Sequence, residues 1–117
     1  MCYDNNTLCE LFNKSESGCV MYKSKLQSPE TDRLFQAVLS LEDLEECYRF
    51  FEDICTVSEL KAISQRFEVA WMLREGMTYT AIANKTGAST ATISRVNRSL
   101  QFGADGYKVV FDRLKEK

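Results

Sequence analysis

From Lys23 onward, apolar side chains return every three or four positions, the spacing of one face of an α-helix. Leu34, Phe35, Val38, Leu39 and Leu41 form the first such group, introduced by Ser28 as an N-cap with Pro29 at the first helical position. Leu44, Cys47, Tyr48, Phe51 and Ile54 form a second stripe, with Ser40 ahead of it as its expected cap. Thr56-Val57-Ser58-Glu59 has the form of a capping box, in which Thr and Glu each satisfy the other's backbone N–H. A third helix then runs through Leu60, Ile63, Phe67, Ala70, Trp71 and Leu73, with Gly76 as its stop.

The next segment changes character. "TYTAIANKTGASTATISRVNRS", residues 78–99, is built of small and polar side chains, yet keeps Ile82, Ala83, Ile93 and Val96 at helical intervals. Thr78 caps a short helix that Gly87 ends, and Ser89 caps another that ends near Phe102-Gly103. Asp105 is expected to cap a last helix bearing Tyr107, Val110, Phe111 and Leu114, with Lys115 and Lys117 suiting its C-terminus. Strand alternation and glycine-turn hairpin signals are absent, so the reading is all-α, six helices and no sheet. Residues 1–22, with three cysteines and no sustained period, read as a flexible N-terminal extension to a helical domain at 23–117, and Met21 is an alternative start.

Two short helices joined by a tight glycine turn make a helix-turn-helix, here at about 78–99. Ala83 lets the helices cross closely, Gly87 supplies the turn, and Ile93 and Val96 pin the second helix. Thr86 departs from the pattern, standing where a larger apolar residue is usual. A helix that enters the major groove presents its first turns to base edges, and there short side chains are an asset. Ser89, Thr90, Ala91 and Thr92 occupy those turns, offering hydroxyls to bases or phosphates and methyls to thymine.

Charge sharpens this picture. The net charge is −2, but residues 1–59 carry −7 and residues 60–117 carry +5. Between Gly76 and Ala104 there is no acidic residue, while Lys85, Arg95 and Arg98 are present, a local positive field suited to a polyanion. The chain has no histidine, which removes the commonest general base and a common zinc ligand. Its five cysteines form no C-x-x-C pair, so neither a zinc site nor a disulfide framework is expected. Cys47 and Cys55 lie in apolar helical patterns and read as small buried hydrophobes without an activating partner. No apolar run approaches the ~18 residues of a membrane span, and no secretory signal is visible. The expectation is a cytoplasmic protein associated with the nucleoid, and not an enzyme. The alternative is a helical protein-interaction module that docks through the acidic run Glu42-Asp43 and Glu45-Glu46.

The block "LKAISQRFEVAWMLREGMTYTAIANKTGASTATISRVNRSL" resembles the core of the tryptophan repressor family, in particular its YerC/YecD branch of small bacterial proteins. The resemblance rests on a long helix ending in "LREGM", a short helix, then "GASTATISR" and "SL"; it runs well from Thr56 to Leu114 and more weakly from Asp32 to Ile54. It implies a Trp-repressor-like fold, an intertwined homodimer, and a bacterial transcriptional regulator that binds double-stranded DNA sequence-specifically, a repressor on a two-fold symmetric operator. By resemblance, Tyr79, Thr80 and Ser89 to Thr92 are DNA-facing and Ser94 lies where a hydroxyl contacts phosphate. Thr56, Arg66, Arg95 and Ser99 match positions of the family's effector pocket. The residue after the second arginine is Val96, where the tryptophan-binding member has glycine, so the indole's space is filled and no tryptophan cofactor is expected. Arg66 is then expected to pair with a nearby glutamate.

Overall fold

The computed structural model describes residues 22–115. Among them are six α-helices and no strand: α1 Pro29–Leu39, α2 Leu44–Ile54, α3 Val57–Arg74, α4 Tyr79–Thr86, α5 Thr90–Phe102 and α6 Gly106–Lys115. Residues 1–21, with Cys2, Cys9 and Cys19, lie outside the described residues, as does Lys117. None of these helices is long and apolar enough to cross a membrane.

Five of the six helices start where a side-chain oxygen meets a free backbone N–H. Ser28 accepts from Thr31, Thr56 from Glu59, Thr78 from Ala81 and Ser89 from Thr92. Thr56 and Glu59 form the full capping box, the Thr56 N–H donating to Glu59 Oε1 at 2.7 Å and the Glu59 N–H to Thr56 Oγ1 at 3.1 Å. The Thr56 backbone N–H, and after it the Thr56 hydroxyl, hold the Glu59 carboxyl below its ordinary pKa, because hydrogen bonds to it favour its charged form. Two expected caps differ. Ser40 closes α1, its Oγ donating to the Ala37 carbonyl at 2.7 Å, and Asp43 caps α2 by accepting from the Glu46 N–H. Asp105 has φ 65, the left-handed region, rather than the extended backbone of the other caps; it enters α6 by its carbonyl, which accepts from Val109.

α1 belongs to a compact unit that ends at Glu42; it contains no buried residue, and Phe35 and Leu39 are exposed. The second unit, from Asp43, holds the core. Val69 and Ala70 of α3, Ile82 of α4, Ala88 of the turn, Ile93 and Val96 of α5 and Phe111 of α6 are buried together. Fully hiding an aliphatic or aromatic side chain of this size contributes about 1.5–3 kcal/mol, so these few residues carry much of the fold. Around Phe111 stand Phe67, Trp71 and Tyr107, with the Trp71 ring meeting Phe111 edge-on at 5.1 Å. The Arg74 guanidinium covers the outer side, 5.3 Å from the Phe111 ring and 5.7 Å from Trp71. α2 buries nothing. Leu44, Tyr48 and Ile54 of its stripe are 72%, 57% and 50% exposed, and Cys47 and Cys55 are half-buried free thiols rather than core residues.

Candidate nucleic-acid interface

α4 and α5 are held at a fixed angle by a turn with an unusual bracket. Gly87 closes α4 with φ 75, a conformation in which a side chain is strained, and its N–H donates to the Ala83 carbonyl at 2.9 Å. Thr86, the departure from the apolar pattern, works on both sides of that glycine. Its Oγ1–H donates to the Ile82 carbonyl at 2.8 Å, and the same oxygen accepts the Ala88 N–H at 3.1 Å. Gln65 of α3 adds a third tie, Nε2 donating to the Thr86 carbonyl at 3.1 Å. Oriented bonds thus do here what bulk does in the usual pattern. Behind the turn, Ile82, Ala88, Ile93 and Val96 are buried against α3 and α6.

With those residues inward, the opposite side of the pair faces out. Tyr79, Thr80, Lys85, Ser89, Thr90, Ala91, Ser94, Arg95 and Arg98 are exposed, and Thr92 is half-buried. Ser89 uses its oxygen to cap α5 and gives its own hydrogen to Thr92 Oγ1 at 3.2 Å, so the first turn is rigid yet slim. Among the described residues no carboxylate pairs with Lys85, Arg95 or Arg98; the ion pair of Arg49 with Glu45, at 2.8 Å, lies on α2. The basic groups are therefore available to an outside anion.

Arg66, Arg95 and Ser99, which the resemblance grouped, line one cavity of about 320 Å³ that Thr92, Val96 and Tyr107 complete. Thr56 is not part of it. It caps α3 and lines a different, larger groove of about 800 Å³ with Cys55, Leu60, Met72, Lys85 and Thr86. The expected ion pair of Arg66 is not formed among the described residues; its guanidinium lies exposed at the cavity. Val96 is nearly fully buried and lines the cavity, so one side chain serves as core anchor and wall. Tyr107 was legible only as an apolar stripe residue, because its place beside Arg66 depends on how α6 returns to α3. Asn97 carried no signal either. It donates to the Tyr79 hydroxyl at 3.1 Å, a partner eighteen residues away.

A family model described as Trp repressor protein matches residues 29–115. YerC of Bacillus subtilis (strain 168) is 58% identical over 96 residues, spanning 82% of this chain and 92% of that protein. The crystal structure of a TrpR-like protein from Eubacterium eligens superposes with a TM-score of 0.76 at 63% identity, covering 80% of this chain and 96% of that one. A structure from Staphylococcus aureus, described as that of a proposed Trp repressor, gives a TM-score of 0.76 at 51% identity, covering 84% of this chain and 98% of that one.

Proposed function

The chain belongs to the Trp repressor family, and on that premise we propose that it is a homodimeric repressor whose two α5 helices read a two-fold symmetric operator. Family and fold point to a DNA-binding regulator. The observation that carries the finer reading is the outward first turns of α5, small and hydroxyl-bearing, anchored from behind by Ile82, Ile93 and Val96. Phosphate contacts by Ser94, Arg95, Arg98 and Lys85 position the helix pair, and Ser89 to Thr92 meet base edges. Two-fold symmetry places half-sites about 34 Å apart, as in other helix-turn-helix dimers, the Trp repressor among them. Repression needs no chemistry; occupying a promoter suffices, and the protein works in the cytoplasm on the chromosome. The open apolar stripe of α2, with Leu44, Tyr48 and Ile54, and the groove lined by Leu60 and Met72 supply the surface for a second copy.

We assign no tryptophan corepressor to the Arg66–Arg95–Ser99 cavity, because Val96 fills the wall where an indole needs room. Duplexes selected from a random pool test both claims. A two-fold symmetric consensus is expected, with affinity unchanged by added tryptophan; tighter binding with tryptophan would overturn the assignment of that cavity. Thr90→Glu places a negative charge at the first position of α5, which favours the helix itself, so lost DNA affinity there reports contact and not unfolding. Arg95→Ala should weaken binding and reduce the dependence on salt by about one phosphate contact. A protein that docks through the acidic residues of α2 instead would pass through DNA–cellulose unretained.

A further inference from the structure

The bonds between α4 and α5 include one that neither the turn nor the caps require. Asn97, half-buried in the middle of α5, gives a hydrogen of its Nδ2 to the hydroxyl oxygen of Tyr79 at 3.1 Å. One turn further along α5, Gln101 Nε2 donates to Asn97 Oδ1 at 3.3 Å. The order of donors fixes the direction of the chain. With Oδ1 engaged by Gln101, the Asn97 amide turns its NH₂ side to the phenol, and the phenol oxygen acts as acceptor. A phenol has one hydrogen to give, and among the described residues no acceptor takes it. Tyr79 is the first residue of α4 and 37% exposed, on the stretch from Gly76 to Ala104 that carries no carboxylate.

We propose that Asn97 is a positioning residue for DNA: by occupying the Tyr79 hydroxyl oxygen, it leaves the phenolic hydrogen to donate to a backbone phosphate of the bound duplex. A phosphate oxygen only accepts, so it matches a group whose acceptor side is taken and whose donor side is free. The positive end of α4 adds to the attraction, since a helix N-terminus favours an anion. Because the bond spans both helices, it also sets the distance between this phosphate contact and the base-reading turns at Ser89 to Thr92. The inference rests on the DNA-binding reading above.

Ethylation interference on a duplex selected from a random pool tests it, with Tyr79→Phe, Asn97→Ala, Asn97→Asp and the Tyr79→Phe/Asn97→Ala pair. Tyr79→Phe is expected to lose one phosphate signal per half-site and to weaken binding about tenfold. Asn97→Ala should lose the same signal and add little once Tyr79 is Phe. Asn97→Asp, whose carboxylate captures the phenolic hydrogen, should weaken binding at least as much as Asn97→Ala. The proposal is overturned by a full interference pattern and unchanged affinity in Tyr79→Phe. It is equally overturned if Asn97→Ala lowers the melting temperature but leaves the phosphate signal intact, which would make it a staple between helices only. Failure of the unaltered protein to hold any duplex overturns the DNA-binding reading along with it; retention with Tyr79→Phe unaffected overturns this inference alone.

Discussion

α2 and α5 look alike along the chain and end up in opposite circumstances. Each is a short amphipathic helix with an oxygen cap, Asp43 accepting from Glu46 and Ser89 from Thr92. Each repeats apolar residues at three and four. Yet α5 buries Ile93 and Val96 completely or nearly so, and α2 buries no residue. The apolar period makes a helix that has one sticky face; it does not say which chain supplies the other face. α5 finds its partner within the molecule, in α3, α4 and α6. The face of α2 is complete as a helix and unfinished as a packing surface, the reason a second copy is proposed to cover it.

The comparison can be broken most severely on the α5 side. Ile93→Ala should cost about 2–5 kcal/mol in urea unfolding, because it removes a fully buried side chain from a small core. A smaller penalty would mean that α5 is seated less firmly than its burial implies. On the α2 side, Leu44→Asp should leave the α3–α6 packing alone and weaken self-association about 10- to 100-fold, read by sedimentation equilibrium. An unchanged association constant would move the interface elsewhere. Thr86→Val keeps shape and removes both bonds of the turn bracket, for an expected loss of about 1–2 kcal/mol. If stability is unaffected, the turn is held by Gly87 and Gln65 without it.

The smallest effect belongs to the cap that starts α3. Since the bonds from Thr56 lower the Glu59 pKa in the folded chain, folding gains a contribution that is fully present above the ordinary glutamate value of 4.5 and is lost as pH falls through the lowered one. Glu59→Gln keeps an acceptor in the capping box and has no charge to lose, so it should flatten that part of the stability–pH curve; an identical curve would remove Glu59 as its source.

Short-range chemistry was readable residue by residue. Ser28, Thr56, Thr78 and Ser89 each announce a helix start because the N–H they satisfy lies three residues on, and Gly87 announces the turn because few residues accept its backbone. Ser40 misled for the same reason: a serine serves either end of a helix, and Asp43, closer to α2, took the capping role. The outward set of α4 and α5 was readable because the anchors Ile82, Ile93 and Val96 fix which side of α5 is inward. Within the single chain Thr56 lines a different groove from the Arg66–Arg95 cavity, and Tyr107 and Asn97 went unmarked, because their neighbours are set by how separate helices pack. Nothing in a run of consecutive residues encodes that.

Val96 carries one more consequence. Its side chain belongs at once to the interior and to the rim of a cleft between two arginines. Trimming it to glycine would open the cleft and, in the same stroke, slacken the seat of α5 and put the least helix-friendly non-proline residue in its middle. A variant meant to admit a ligand there would therefore have to reinforce this helix first and hollow out the niche second; taken in the other order, α5 loses its seat before the niche can be used.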